Sequence, residues 1–282
     1  MNLCRSLAAC VAIPCVAGAA SGAVVAYSWD RDLGTLARWD NPATNGVTTI
    51  GAGGYVEAAD LCFSPAGVLY GLIGSDVVTV NLATGIPTAV APITSTVFGL
   101  NETVEAMSFS PGGTLYSLTV SGTQSSIYVF DPVAGTATPV ARGLNDAYFG
   151  MTFSPDGRLF ATDGYDLFLL NPTTGAVTQT VGSLSEPVES LAWSPDGRLL
   201  GQTLFLENNG TFFAELFSVD PSSAKVTIIG GSGAFLEGLA VIPAPRATPV
   251  VCGLVLFAVG RRRSRGWGDE GARGVSSECR LL

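Results

Sequence analysis

One phrase, written four times, restricts what this chain can fold into more than any other feature. It reads LCFSPAGVLYGL from Leu61, MSFSPGGTLYSL from Met107, MTFSPDGRLFAT from Met151 and LAWSPDGRLLGQ from Leu191. Phe63, Phe109, Phe153 and Trp193 therefore recur at intervals of 46, 44 and 40 residues. A period near ~40 to 45 residues belongs to arrays whose units cannot bury an apolar face alone and must stack on their neighbours.

A second phrase interleaves with the first: NPATNG at Asn41, NLATG at Asn81, DPVAG at Asp131, NPTTG at Asn171 and DPSSA at Asp220. Apolar-alternating stretches such as YDLFLL and AVTQTV flank it. Both phrases are turn chemistry. Proline presets the first turn position, Asp or Asn bonds back to the chain, and glycine takes the positive-φ position of a hairpin. Each unit therefore holds two hairpins, or four strands.

The phrases count the units. Turns of the second kind number five and those of the first only four, with a further strand, Leu239 to Ile242, after the last turn. The chain begins with VVAYSWD, LGTLARWD and VTTIG, three strands that lack an innermost partner. Pairing Leu239 to Ile242 with them completes a fifth unit from both chain ends and removes the exposed edges of an open array. The prediction is an all-β, five-bladed β-propeller of four-stranded blades over residues 24–242, followed by a short C-terminal hydrophobic helix. The innermost strands carry Leu61, Met107, Met151, Leu191 and Leu239 two positions before the aromatic site, and Cys62, Ser108, Thr152, Ala192 and Ala240 one before it. At a side-chain period of 2, one face is bulky and the other slight, which suits strands crowded around an axis.

Composition agrees. Of 282 residues, 47% are hydrophobic and 13% charged, with 35 glycines and 16 prolines, which favours many short strands and tight turns over surface helices. From Gly22 to Ile242 there are 20 acidic and 6 basic residues, a balance of −14, so this body repels phosphate backbones and is not expected to bind nucleic acid. The absence of histidine excludes Ser-His-Asp and Cys-His catalysis and imidazole metal sites. Of six cysteines only Cys62 falls in the body, so no disulfide framework is expected there.

The two ends differ from the body. Arg5, the apolar stretch Ser6 to Ala20 and the small residues Ser21, Gly22 and Ala23 compose a secretory signal peptide, residues 1–23, with cleavage expected after Ala23. Beyond the body, Pro243, Ala244 and Pro245 precede an apolar run from Ala247 to Gly260 and then Arg261, Arg262, Arg263 and Arg265. As a helix that run measures about 21 Å, short of a ~30 Å hydrocarbon core, but the arginines would hold its end on the cytoplasmic side.

This tail, residues 243–265, resembles the PEP-CTERM sorting signal of Gram-negative bacteria, with Pro243-Ala244-Pro245 in place of the namesake Pro-Glu-Pro and a further 17 residues, 266–282, read as a disordered tail. The resemblance implies an exosortase-type processing enzyme as a partner, and either membrane anchoring or release after cleavage. The SPDG-type units resemble bacterial WD-repeat-like and TolB-like propellers, which implies fold and not activity.

One candidate site emerges. Four residues before the aromatic position stand Glu105, Glu189 and Glu237, with Ala59, which has Asp60 beside it, and Phe149 in the other two units. The repeat places them where the chain enters the innermost strand, at one mouth of the central channel. Carboxylates converging there could hold Ca2+, which takes ~6 to 8 oxygen ligands. No other cofactor is expected. The primary expectation is an exported, envelope- or surface-associated, non-enzymatic propeller that binds a glycan or protein. The alternative is a lactonase-like, metal-dependent hydrolase using those carboxylates.

Overall fold

In the computed structural model the described residues are 25–41, 46–55, 58–73, 76–92, 98, 101–206 and 212–242. The chain divides into two units, Met1–Pro245 and Arg246–Leu282. The leader, Ala23, the Pro243-Ala244-Pro245 motif, the apolar run with its expected helix, Arg261 to Arg263 and the last 17 residues lie outside the described residues. Among the described residues no helix is long and apolar enough to cross a membrane.

Every regular element described is a strand. The first three are β1 (Ala26–Asp30), β2 (Thr35–Asn41) and β3 (Gly46–Ile50). Then come β4 (Ala58–Phe63), β5 (Leu69–Ile73), β6 (Asp76–Val80) and β7 (Pro87–Pro92). The next unit is β8 (Thr103–Phe109), β9 (Leu115–Ser121), β10 (Gln124–Asp131) and β11 (Thr136–Leu144). It is followed by β12 (Gly150–Phe153), β13 (Leu159–Thr162), β14 (Asp166–Leu170) and β15 (Val177–Ser183). The last strands are β16 (Ser190–Trp193), β17 (Leu199–Leu206), β18 (Phe212–Val219), β19 (Val226–Ser232) and β20 (Leu236–Val241).

They form five antiparallel sheets of four: β4 to β7, β8 to β11, β12 to β15, β16 to β19, and a composite β20-β1-β2-β3. The innermost strands β20, β4, β8, β12 and β16 pack on one another in a closed ring. This is a five-bladed propeller whose last blade is built from both ends of the described chain. The closing strand is longer and earlier than the sequence suggests: it runs Leu236–Val241, and Ile242 follows it, its N–H donating to Val25 O at 3.3 Å.

Both recurring phrases fold as local chemistry dictates. In the first, Ser64, Ser110, Ser154 and Ser194 accept the N–H of the glycine three residues on, at 2.9 to 3.0 Å, through their carbonyls. Their Oγ atoms accept the N–H of Val68, Thr114, Arg158 and Arg198 at 2.9 to 3.1 Å. In the second, the Asn or Asp Oδ1 caps two N–H groups ahead: Ala83 and Thr84 on Asn81, Val133 and Ala134 on Asp131, Thr173 and Thr174 on Asn171. Side chains that bond their own turn make the reversal independent of distant contacts. The departure is DPSSA, where Ala224 takes the left-handed φ of +57° that glycine holds in its counterparts. Its methyl is fully buried in the apolar seam with Leu167 and Val219, which offsets a backbone cost of roughly 1–2 kcal/mol.

Five apolar clusters fill the five seams between blades. The bulky face of each innermost strand turns to the preceding blade and the slight face to the following one: Leu61 packs with Tyr27 and Trp29, whereas Cys62 packs with Met107 and Tyr128. The aromatic position meets an aromatic ring of the preceding blade in four seams, Tyr27–Phe63, Tyr70–Phe109, Tyr116–Phe153 and Phe160–Trp193, with centroids 4.9 to 5.9 Å apart. Cys62 is a buried free thiol.

Candidate functional site

The ring geometry brings the five equivalent positions together. Ala59, Glu105, Phe149, Glu189 and Glu237 all line one cavity of about 210 Å³ at the end of the ring where the innermost strands begin. Local irregularity helps to aim them. Ala59 and Glu105 fall at register shifts of the β4–β5 and β8–β9 ladders, where an extra residue is left unpaired. Phe149 and Glu189 each stand one residue ahead of their strands, their N–H groups held at 2.9 Å by Thr162 O and Gln202 O. Glu237 lies inside β20, opposite Trp29 of β1.

Electrostatics follow from this crowding. Burial raises the pKa of Glu105, and the charges of Glu237 and Glu189 raise it further. Burial and Glu237 likewise raise Glu189, against an N–H donated by Leu204. Burial raises Glu237 as well, opposed by Arg31, whose Nη1 donates to it at 2.6 Å. Among the described residues no group of three or more Asp, Glu, Cys or His side chains is placed to hold a metal ion. The three glutamates thus share a cavity without forming a metal cage.

A fourth carboxylate, which the repeat comparison finds beside Ala59, has no counterpart in other units and received no role from it. Asp60, 6% exposed, sits beside the mouth on β4, where the equivalent positions are Ala106, Gly150, Ser190 and Gly238. Its Oδ2 accepts the N–H of Met107 at 2.7 Å, and its carboxylate also takes N–H groups of Leu61 and Leu239, so it ties β4 to β8 and β20. Burial pushes it up to about 7 despite those donors. Gly238, at φ +64°, lets β20 approach: a Cβ there would lie 2.8 Å from Leu61 N.

No family model and no curated protein sequence matches the chain. Solved structures do. A protein described as symmetrical and of de novo evolutionary emergence is 16% identical with a TM-score of 0.52, over 78% of this chain and 99% of that one. A chain of the nidogen/laminin complex is 10% identical with a TM-score of 0.51, over 78% and 98%. TolB from Acinetobacter baumannii is 14% identical with a TM-score of 0.48, over 78% and 66%. Such identities speak to the fold alone: a five-bladed propeller, with an acidic cavity where its innermost strands begin.

Proposed function

We propose that this chain is an exported propeller, held at the cell envelope or surface through its C-terminal segment or released from it, that works as a binding module. The observation that carries the reading is where the ends of the body lie. Val25 and Ile242 are hydrogen-bonded to each other, and Ile242 lies five residues beyond Glu237, roughly 16 Å along a strand. The first and last residues of the described body therefore both lie at the end of the propeller opposite the acidic cavity. A tether at that end leaves the mouth free to meet a protein or glycan in the surroundings. The resemblance of the tail to a sorting signal supports an exosortase-type enzyme as the processing partner.

The test is the intact mass of the mature protein from its native host, measured by cell fraction. A species beginning at Val24 and ending near Pro245, or one extending to Leu282 in the membrane fraction, agrees with the reading. A cytoplasmic species beginning at Met1 overturns it.

A further inference from the structure

The glutamates of the cavity are not equivalent. Glu237 is matched by Arg31, from the turn between β1 and β2, whose guanidinium also lies 5.3 Å from the centroid of the Phe235 ring. Among the described residues Glu105 and Glu189 have no cation beside them. In ring order Phe149, 39% exposed, stands between these two, so an aromatic face and two carboxylates are offered to the same space. Thr203, 2% exposed, also lines the cavity, and its hydroxyl has no hydrogen-bond partner among the described residues. That hydroxyl oxygen is itself closed off from the open space, so the carboxylates and Phe149 are what a ligand meets there.

Carboxylates spread around a mouth, rather than gathered as a three-ligand group, suit a larger, planar cation. A guanidinium spreads five N–H donors over a rigid fork and stacks on aromatic faces, so it can bridge acceptors that a metal ion cannot reach together. We propose that the mouth cavity receives an arginine side chain of a basic peptide or protein partner, between Glu105 and Glu189 and against Phe149, as Arg31 is seated on Glu237 and Phe235. This names the partner class for the binding role proposed above and rests on that reading. The balance of −14 across the body attracts a basic partner over one of like charge.

The purified full chain is titrated calorimetrically with acetyl-Gly-Arg-Gly-amide and with its citrulline counterpart, which keeps the shape and removes the charge. The arginine peptide should saturate below about 10 mM and bind about ten-fold or more tighter than the citrulline peptide. The double variant Glu105→Gln/Glu189→Gln should lose about ten-fold or more, and Phe149→Leu about three-fold. Glu215→Gln, a carboxylate outside the cavity, should change nothing. Because the double variant could fold poorly, its melting temperature is compared with the parent, and salt titration of the parent gives a separate reading: affinity should fall as screening rises. Equal binding of the two peptides, salt-independent binding, or absence of saturation overturns the proposal. So does Ca2+ that binds in the same cavity, is lost in the double variant and excludes the peptide. Cell fractionation tests the location and the titration tests the mouth, so either can fail alone.

Discussion

Four seams of the propeller are joined by an aromatic pair, and the fifth, where the two ends of the body meet, is joined differently. Between β16–β19 and the composite blade, the positions that carry rings elsewhere are Leu200 and Val241. In place of the ring pair the seam buries a polar chain: Trp39 Nε1 donates to Ser28 Oγ at 3.0 Å, Ser28 Oγ donates to Gln202 Oε1 at 2.5 Å, and Gln202 Nε2 donates to Leu236 O at 2.9 Å. Ser28 and Gln202 are 174 residues apart. In the other four seams the connecting chain already delivers one blade to the next, and nondirectional packing, with about 0.5–1.5 kcal/mol from ring geometry, is enough. At the closure the chain delivers only β20, through residues 233–235, and no short connection sets the register of β1 to β3 against it. Hydrogen bonds do so, because a slipped strand would leave buried polar atoms without partners, at about 1–3 kcal/mol each.

The comparison can be broken from either side. The largest effect is expected at a regular seam: Phe160→Ala, at a fully buried ring packed on Trp193, should cost about 3–5 kcal/mol in denaturant unfolding. A loss under about 1 kcal/mol would mean that the ring pairs do not hold the seams. Next is the carboxylate that grips the closing strand. The folded Asp60 holds its proton up to about 7, against 3.8 in the unfolded chain, so its contribution to stability is full below about pH 4 and is lost as pH rises through 7. The spread from this group is on the order of 4 kcal/mol, and Glu105, Glu189 and Glu237 act in the same direction. Melting temperature should therefore rise between about pH 7.5 and pH 5, and Asp60→Asn should flatten that rise; a parent profile that falls on acidification contradicts the assignment.

At the closure seam itself, Gln202→Ala should cost about 2–3 kcal/mol and speed amide exchange across Leu236–Val241 more than elsewhere. Uniform exchange across all five innermost strands would show that the polar chain is not what latches the ring. The smallest effect is at the turn: Ala224→Gly exchanges a buried methyl for a relaxed positive φ, so stability should move by no more than about 1 kcal/mol, whereas Ala224→Val should cost more.

How much was legible follows from how far each signal reaches along the chain. SPDG and NPTTG carry their own hydrogen bonds, so turns, strand count and blade number could be read from residues within a few positions of one another. The period then placed Glu105, Glu189 and Glu237 at one mouth, since equivalent positions in a closed ring face the same end. Asp60 was visible beside Ala59 but, occurring in one unit only, carried no sign of its grip on two other blades, and Arg31 escaped because its partner Glu237 is 206 residues away.

By itself, then, the sequence determined the blade, its number and the closure of the last one, because these rest on local turn bonding and on a repeat that forces stacking. The fold decided which side chains finish the seams and the cavity: the Trp39–Ser28–Gln202 chain, the grip of Asp60 on β8 and β20, the Arg31–Glu237 pair and the buried hydroxyl of Thr203. Each joins residues from different blades or depends on how blades meet, and such distances exist only once the ring has closed.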